Sequence, residues 1–269
     1  MSDIRNSSTS LVSIVMPTYN QANFIGKAIS SVMTQTHTNW ELIVVNNFSS
    51  DDTEATVREF NDSRIKFINF SNHGVIASSR NHAIKLATGQ FIAFLDSDDY
   101  WEPRKLEVCL SALSKDFDLV CHAEYFFYDS DSQLVPHYYG PTSRCAYSNL
   151  LKHGNCLSTS AIVIKRDFLS KIGLFNERRE FITAEDFDLW IRAAEAGAKI
   201  NITNEILGYY RLHANSASAS VKKLADATIA VLKVHKRSNR IGFLDTMLIN
   251  LRILRIKFFV FRSTFSTPG

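Results

Sequence analysis

Between Leu11 and Leu95 the chain alternates short runs rich in β-branched and other apolar residues with longer segments whose apolar positions recur at helical spacing. The apolar runs are LVSIVM, ELIVV, IKFINF and QFIAFL, and the helical segments cover about residues 22–35, 52–60 and 75–87. This alternation predicts parallel strands in a sheet that helices cover on both faces.

Polar residues cluster directly after three of these predicted strands: PTYN at 17–20, NNFSSDD at 46–52 and DSDD at 96–99. The carboxyl ends of parallel strands lie at one edge of a sheet, and open α/β sheets bind ligands there. We therefore expect the three clusters to form one rim, and the pattern indicates a nucleotide-binding half.

The pattern after residue 101 is less regular. It predicts a helix at about Glu102–Leu113, apolar runs at 119–128 and 160–164, and a loop rich in Tyr, Pro and Gly around 136–141. A second helical period runs from Thr183 to Gly197 and places four apolar residues on one face: Phe187, Trp190, Ile191 and Ala194. We expect this half to face the first and to supply different chemistry.

The segment Ile249–Arg262, INLRILRIKFFVFR, mixes bulky apolar residues with basic ones. As a helix it has Arg252 and Arg255 on one side and four apolar residues on another: Leu251, Leu254, Phe258 and Phe261. This arrangement is typical of a helix that lies in a membrane interface with anionic lipids. The alternative is a terminal helix docked on the core or on another subunit.

Composition narrows the class of protein. With 269 residues, 45% of them hydrophobic, the chain is long enough for one large globular domain with an appended segment. The formal net charge of +3 gives no indication of nucleic-acid binding, and the four cysteines lack metal-ligand spacing, which predicts free thiols in a reducing compartment. Residues 1–10 are expected to form a flexible tail, and no apolar run predicts a signal peptide or a membrane span, so we expect a cytoplasmic protein.

The cluster FLDSDDYW concentrates negative charge in a short stretch. Asp96, Asp98 and Asp99 repel one another unless a cation or several hydrogen-bond donors neutralise them. Mg²⁺ or Mn²⁺, held by one or two carboxylates and by phosphate oxygens, would do so. One alternative is a solvated loop in which Ser97 or Asp99 caps the helix that begins near Glu102. Another is a phosphohydrolase with an aspartate nucleophile, which is disfavoured because the motif follows several strand–helix units.

Three stretches together carry a resemblance: VSIVMPTYNQANFIGKAISSVMTQTHTNWELIVVNN, GVIASSRNHAIKLATGQFIAFLDSDDYWEPRKLE and AEDFDLWIRAAEAG. In this order they resemble the family-2 glycosyltransferases, inverting enzymes with the GT-A fold. The resemblance implies an α/β fold with a Rossmann-like, mixed but mainly parallel sheet flanked by helices. The implied transferase domain covers residues 11–215, with a nucleotide-binding half at 11–100 and an acceptor-binding half at 101–215. Residues 216–269 are expected to form a helical, basic, amphipathic membrane-associating segment.

The resemblance implies that Pro17, Thr18 and Tyr19 hold the nucleotide base, which stacks on the Tyr19 ring; packing at the strand end is the alternative role of Tyr19. Asn47 stands where the family usually has an aspartate that bonds the base, typically uracil. The substitution removes a charge but still offers a carbonyl acceptor. Phe48 replaces a usual glycine, so this loop is expected to differ in shape.

The resemblance also implies roles around the donor diphosphate. Arg80 is expected to pair with the diphosphate, with pairing to Asp96 alone as the alternative. Asp96 matches a ribose-contacting carboxylate, and Ser97 belongs to the same nucleotide-sugar site. Asp98 matches the ligand of the metal that bridges to the diphosphate, and His213 matches a loop that in some relatives closes over the diphosphate or metal. Asp99 is expected to support this group.

Asp186, in AEDFDLW, matches the family's catalytic base, which takes the acceptor hydroxyl proton while the nucleotide diphosphate leaves from the opposite face. A capping box is the competing interpretation, with Thr183 as N-cap and Asp186 three residues later. Glu185 and Trp190 are the candidate acceptor contacts, with packing of the helix as the alternative role of Trp190, and the commoner one for such a residue.

The implied activity is metal-dependent transfer of one sugar, from a UDP-sugar rather than a GDP- or dTDP-sugar, to a lipid-linked or growing glycan of the bacterial cell surface, such as O-antigen or capsule. The chain lacks the Gln-x-x-Arg-Trp signature of processive relatives, so one sugar per encounter is expected. The basic tail implies a peripheral position on the inner face of the cytoplasmic membrane. The alternative is a non-catalytic sugar- or membrane-binding module on a degenerate transferase fold. The sugar, its linkage and the oligomeric state stay open.

Overall fold

The computed structural model describes residues 10–128, 133–213, 220–237 and 241–265. Residues 1–9 of the expected tail and residues 214–219, within the stretch HANSASAS, lie outside this part of the chain. The strands in it are β1 (Val12–Thr18), β2 (Trp40–Asn46), β3 (Ile65–Asn69), β4 (Phe91–Phe94), β5 (Tyr100–Trp101), β6 (Leu119–Tyr128), β7 (Val135–His137), β8 (Ile162–Lys165) and β9 (Ile200–Leu212).

The α-helices of the described ranges alternate with these strands and then follow them. They are α1 (Ala22–Met33), α2 (Thr53–Arg58), α3 (Ile76–Leu86), α4 (Lys105–Leu113), α5 (Tyr147–His153), α6 (Arg166–Ile172), α7 (Glu185–Glu195), α8 (Val221–His235) and α9 (Phe243–Phe265). The helices of the first half are one or two residues shorter than predicted at one or both ends, a difference that is usual at helix termini.

The strands form one sheet in the order β3-β2-β1-β4-β8-β6-β9-β5, and β7 pairs with β6 outside this path. Strands β3, β2, β1 and β4 are parallel, as predicted. Strand β8 runs antiparallel to both β4 and β6, whereas β9 is parallel to β6. Each parallel pairing extends over more residues than any antiparallel pairing among the described strands, so the sheet is mixed and mainly parallel.

Buried residues of the central strands divide between two apolar clusters. Ile14 and Leu42 belong to the cluster that contains α1 and α4, whereas their neighbours Val15 and Ile43 belong to the cluster that contains α3 and α7. Because successive side chains of a strand point to opposite faces, helices cover both faces of the sheet. Strands β1 and β2 are buried along their whole length, which explains their continuous apolar runs.

The two C-terminal helices pack on the second half of the domain. In α8, the His235 ring bonds Asp188 Oδ1 of α7 (2.8 Å), and in α9, Ile249 and Ile253 are buried. Arg252 and Arg255, which were expected on one side of the helix, differ in environment: Arg252 is half-buried and donates to the Leu150 and Leu151 carbonyls, whereas Arg255 is exposed. None of the helices in the described ranges has the length and apolarity needed to cross a bilayer.

Candidate functional site

The three polar clusters of the first half meet at the carboxyl edge of the parallel strands, as predicted. They surround a cavity of about 290 Å³, the first cavity. Its lining includes all but one of the residues expected to hold the nucleotide-sugar, together with the expected metal ligand Asp98: Pro17, Thr18, Tyr19, Asn47, Asp96, Ser97 and Asp98. The exception is Arg80, which lies behind Asp96. Tyr19 is 54% exposed, so its ring is available for stacking on a planar ligand.

The loop after β2 is held by side-chain bonds to the loop after β1. Asn20 Oδ1 accepts from the Ser50 N–H (2.8 Å), and the Asn20 N–H donates to the Ser49 hydroxyl oxygen (2.8 Å). Within this loop Phe48 has a φ of +54°, in the left-handed region that favours glycine, and its side chain is 61% exposed. Phe48 thus takes a conformation that glycine adopts without strain.

Part of the hydrogen-bonding capacity of the Asn47 side chain is used within the protein. Its Oδ1 accepts from the backbone N–H of Asn72 (3.0 Å), a residue that also lines the first cavity. One acceptor position of the Asn47 carbonyl is therefore already used, while its Nδ2 provides two donors that an aspartate would lack. Asn72 is a site residue that the sequence analysis missed, because nothing in SNHG indicates a partner for Asn47.

The acidic cluster is not a solvated capping loop. Asp99 is 3% exposed and accepts from the Ser160 hydroxyl (2.6 Å) and the Arg211 N–H (2.9 Å). Helix α4 begins later than expected, at Lys105, and its N-cap Arg104 makes no side-chain capping bond. The capping alternative is therefore wrong. Burial and the neighbouring carboxylates raise the pKa of Asp98 and hold that of Asp99 well above its ordinary value.

Asp98 and His213 lie side by side, since His213 Nε2 is 2.9 Å from Asp98 Oδ2. No cluster of three or more metal-ligating side chains occurs among the residues that the structure covers. This donor set fits a hard divalent cation that takes one or two protein ligands and completes its coordination with phosphate oxygens and water. It does not fit a cation caged by protein alone.

Arg80 links the acidic cluster to helix α7. Its guanidinium donates to Asp96 Oδ1 (2.8 Å) and to Glu185 Oε1 (2.7 Å), and it is 3% exposed. Burial by itself would lower the pKa of Arg80, but the two carboxylates outweigh it and raise the pKa. Arg80 therefore carries a compensated, fixed positive charge between the two halves of the domain.

A second cavity, of about 450 Å³, adjoins the first, since Ile76, Asp96 and Tyr210 line both. Its wall is built from distant parts of the chain: Arg80 of α3, Phe126 of β6, Tyr139, residues 155 and 157–160, residues 183–187, Leu212 of β9, Leu224 and Thr228 of α8, and Arg252 of α9.

Asp186 faces this second cavity at the start of α7. Its Oδ2 accepts from Asn155 Nδ2 (3.0 Å) and its Oδ1 from the Phe187 N–H (2.6 Å). Burial, reinforced by the charge of Glu185, raises the pKa of Asp186 to about 7. A carboxyl with such a pKa can accept a proton near neutral pH, which is the requirement for a general base.

The capping-box interpretation of this helix start is wrong. The N-cap of α7 is Ala184, with no side-chain capping bond, and Thr183 has a φ of +81°. The Thr183 N–H instead donates to Glu185 Oε2 (2.8 Å). Asp186 is therefore not used as the second member of a capping box.

Glu185 lines the second cavity but is held by Arg80 and Thr183, so it orients the start of α7. The prediction that Trp190 contacts an acceptor is wrong. Trp190 is fully buried and packs against Phe94, with ring centroids 6.4 Å apart. It lies one turn along α7 from Asp186, on the core side of the helix, where an aromatic side chain fills the space against the sheet.

Three polar residues of the irregular segment escaped the sequence analysis. Asn155 and Thr159 lie beside the Asp186 carboxylate, and Ser160 donates to Asp99. Their one sequence signal is the density of small polar residues in NCLSTSA directly before an apolar run. That signal also fits an ordinary loop, so it did not identify the site.

Comparisons with known proteins cover most of the chain. The family model described as Glycosyl transferase family 2 matches residues 13–173. The chain is 37% identical over 215 residues to the UDP-Glc:alpha-D-GlcNAc-diphosphoundecaprenol beta-1,3-glucosyltransferase WfgD of Escherichia coli. The aligned region covers 78% of this chain and 80% of that protein. It is 32% identical over 210 residues to WfaP of the same organism, whose name gives the same reaction, with the same coverage.

Two solved structures share the fold. S. aureus TarS 1-349 in complex with UDP-GlcNAc has a TM-score of 0.70 at 21% identity, covering 93% of this chain and 72% of that one. The mannosyltransferase PcManGT from Pyrobaculum calidifontis, in complex with GDP-Man and Mn²⁺, has a TM-score of 0.66 at 17% identity, covering 90% and 68%. With the family match, these findings confirm the predicted α/β, GT-A fold and the predicted enzyme class: the chain belongs to glycosyl transferase family 2 and is a glycosyltransferase.

Proposed function

We propose that this enzyme transfers one sugar, with inversion, from a UDP-sugar in the first cavity to a lipid-linked saccharide in the second. The observation that carries the proposal is the meeting of the two cavities at Asp96 and Tyr210, with the acidic cluster on one side and Asp186 on the other. A donor and an acceptor in adjoining cavities meet where a single displacement needs them.

UDP is the nucleotide that we propose for the first cavity. Tyr19 offers a stacking face, and Asn47 offers amide donors beside a partly used carbonyl, a set that can bond the carbonyl oxygens of uracil. The names of WfgD and WfaP both give UDP-Glc as donor, which supports this choice. GDP is the competing nucleotide, because the loss of a charged acceptor at position 47 admits other bases.

Mn²⁺ or Mg²⁺ is the cofactor that we propose, held by Asp98 and His213, whose contact was described above. When bound, such a cation supplies positive charge for the diphosphate leaving group. Arg80 remains paired with Asp96 and Glu185, so it fixes the position of both carboxylates and adds positive charge nearby.

Asp186 is the group that we propose takes the proton from the acceptor hydroxyl. Its pKa of about 7 suits that task, and the bonds from Asn155 and Phe187 fix the orientation of the carboxylate toward the second cavity. Attack by the activated hydroxyl from this side, with the diphosphate leaving toward the acidic cluster, inverts the configuration of the transferred sugar.

The outer face of α9 is the surface that we propose lies on an anionic membrane. Leu254, Phe258 and Phe259 are each more than 60% exposed, and Arg255 and Lys257 are exposed among them. Aromatic side chains interleaved with cations suit the headgroup region of anionic lipids. This position, on the cytoplasmic face of the membrane, would bring the second cavity to lipid-linked intermediates of bacterial surface polysaccharide.

Calorimetric titration of UDP and GDP, with and without Mn²⁺, into the wild type and Asp98→Ala tests the donor site. We expect metal-dependent binding of UDP that Asp98→Ala weakens at least about tenfold, which is about 1.4 kcal/mol. Transfer is then assayed from UDP-sugars to short-chain diphosphate-linked saccharides, with the product anomer assigned by NMR. A folded protein that binds no nucleotide, or a product of retained configuration, would overturn the proposal.

Co-sedimentation with vesicles tests the membrane face. We expect binding to vesicles that contain anionic phospholipid, weaker binding to neutral ones, and loss of binding when Phe258 and Phe259 are both replaced by Ser. The matched control is Tyr128→Ser, which removes an aromatic side chain that is 54% exposed elsewhere on the molecule. Equal binding of all three proteins would exclude α9 as the membrane contact.

A further inference from the structure

Two arginines line the second cavity, and their charges are compensated differently. Arg80 is paired with Asp96 and Glu185. Arg252, by contrast, has no carboxylate within ion-pair distance in the part of the chain that the structure describes; its recorded hydrogen bonds run from Nη1 to the carbonyls of Leu150 (3.1 Å) and Leu151 (2.7 Å). The wall of the cavity thus contains a positive charge without an acidic partner.

A second arginine lies close to Arg252. Arg144 donates from Nη2 to the His153 carbonyl (3.4 Å), and Arg252 Nη2 lies beside the next residue, Gly154, where an added Cβ would come within 2.9 Å of it. The Arg144 Nε is buried and has no hydrogen-bond partner among the described residues. Burial and the charge of Arg144 lower the pKa of Arg252 to about 10.

Docking of α9 on α5 explains only part of this arrangement. The two carbonyl bonds of Arg252 satisfy the C-terminal end of α5, which favours a cation there. They leave unexplained why a second guanidinium lies close enough to Arg252 to lower its pKa, since two like charges near each other cost free energy. An anion in the cavity beside Arg252 would offset that cost.

We propose that Arg252, with Arg144 behind it, binds a phosphate of a diphosphate-linked saccharide acceptor in the second cavity. The inference rests on the proposed function and adds the residues that recognise the acceptor. Asp186 lines the same cavity and would meet the saccharide, while Leu157, Leu212 and Leu224 offer apolar surface to the start of a lipid chain. Helix α9 would then supply both the membrane face and the group that binds the lipid-linked phosphate.

Binding is tested by calorimetric titration of farnesyl diphosphate and of farnesol into enzyme saturated with UDP and Mn²⁺, so that the first cavity is filled. We expect the wild type to bind the diphosphate and not the alcohol. Arg252→Gln should weaken diphosphate binding at least about tenfold, with partial recovery in Arg252→Lys. Arg104→Gln, which changes an exposed arginine that lines neither cavity, is the matched control and should bind like the wild type.

Arg144→Gln is the second variant, because it leaves the carbonyl bonds of Arg252 and hence the docking of α9 in place. We expect it to fold like the wild type in a thermal melt and to bind farnesyl diphosphate several-fold more weakly. Unchanged affinity in both the Arg252 and Arg144 variants, or an equal loss in the Arg104 control, would overturn the proposal.

Transfer assays separate this inference from the proposed function. Acceptors with the same sugar and alkyl chain, joined either through a diphosphate or through a phosphate-free glycosidic link, should differ in KM for the wild type but not for Arg252→Gln. Equal KM values for both acceptors in the wild type would overturn the phosphate site but not the proposed transferase function. Arg252-dependent diphosphate binding without any sugar transfer would support the phosphate site and overturn the proposed function.

Discussion

The two cavities of this enzyme adjoin each other but are assembled in different ways. The first is formed mainly by the segments that follow β1, β2, β3 and β4, within residues 17–99, and β9 adds Tyr210 and Arg211. The second draws on residues from 76 to 252 and includes side chains of α8 and α9, which follow the last strand. The comparison teaches that the shape of the first cavity depends mainly on the loops after the parallel strands, whereas the second depends also on long-range packing of the C-terminal helices.

The charges of the two cavities differ as well. The first contains three crowded aspartates whose repulsion favours a cation, whereas charged groups of both signs line the second: Asp96, Glu185 and Asp186, and Arg80 and Arg252. Substitutions that affect one cavity and leave the other unchanged are therefore the sharpest tests of this division.

The largest effect is expected from Asp186→Asn. Loss of the proposed base should lower kcat by about 10²- to 10⁴-fold, with UDP affinity unchanged because Asp186 does not line the first cavity. Steady-state kinetics and calorimetry measure the two quantities. Glu180→Gln, an exposed carboxyl just before the same helix, is the control and should keep wild-type kcat. A loss of UDP affinity equal to the loss of kcat would contradict the separation of the cavities.

The same substitution is expected to stabilise the fold at neutral pH. The pKa of Asp186 is raised from its ordinary value of 3.8 to about 7 in the folded protein, so the unfolded chain ionises first. The resulting penalty on folding grows as the pH rises between those two values, and Asn does not incur it. Urea denaturation at pH 8 should give Asp186→Asn a higher free energy of unfolding than the wild type.

A smaller change is expected in the pH dependence of the reaction. Because the base must be deprotonated, kcat/KM for the acceptor should rise with pH through an apparent pKa near 7, whereas UDP affinity at fixed Mn²⁺ should not show this rise. Asn155→Ala removes a donor that favours the ionised carboxylate, so it should move the apparent pKa to higher pH and lower the rate at pH 7 several-fold. An unchanged apparent pKa in this variant would show that Asn155 does not affect the pKa of Asp186.

The smallest effect is expected at Phe48, beside the first cavity. Phe48→Gly should relieve the left-handed backbone conformation and raise the free energy of unfolding by up to about 1 kcal/mol, without changing the second cavity. Tyr128→Gly, which removes an exposed aromatic residue from a strand with ordinary φ, should destabilise the fold instead. Urea denaturation of both variants checks the difference in sign.

The division between the cavities also explains how far sequence reasoning reached. Strong periodic patterns predicted the four parallel strands, the helices between them and the rim that carries Asp96 and Asp98, because neighbouring elements pair locally. The same reasoning failed at Trp190, since helical spacing alone did not decide which residue faces the core and which the cavity. Arg252 and Asn155 reach the second cavity through tertiary contacts that no local pattern records.

Arg80 connects the two cavities electrostatically. It holds Asp96, which lines the first cavity, and Glu185, which adjoins the proposed base, within one pair of ion bridges. A charged donor that binds beside Asp96 changes the electrostatic field around this paired group, and hence the field at Asp186. Thermodynamic linkage requires any such coupling to act equally in both directions, so we expect donor and acceptor to alter each other's affinity by the same factor.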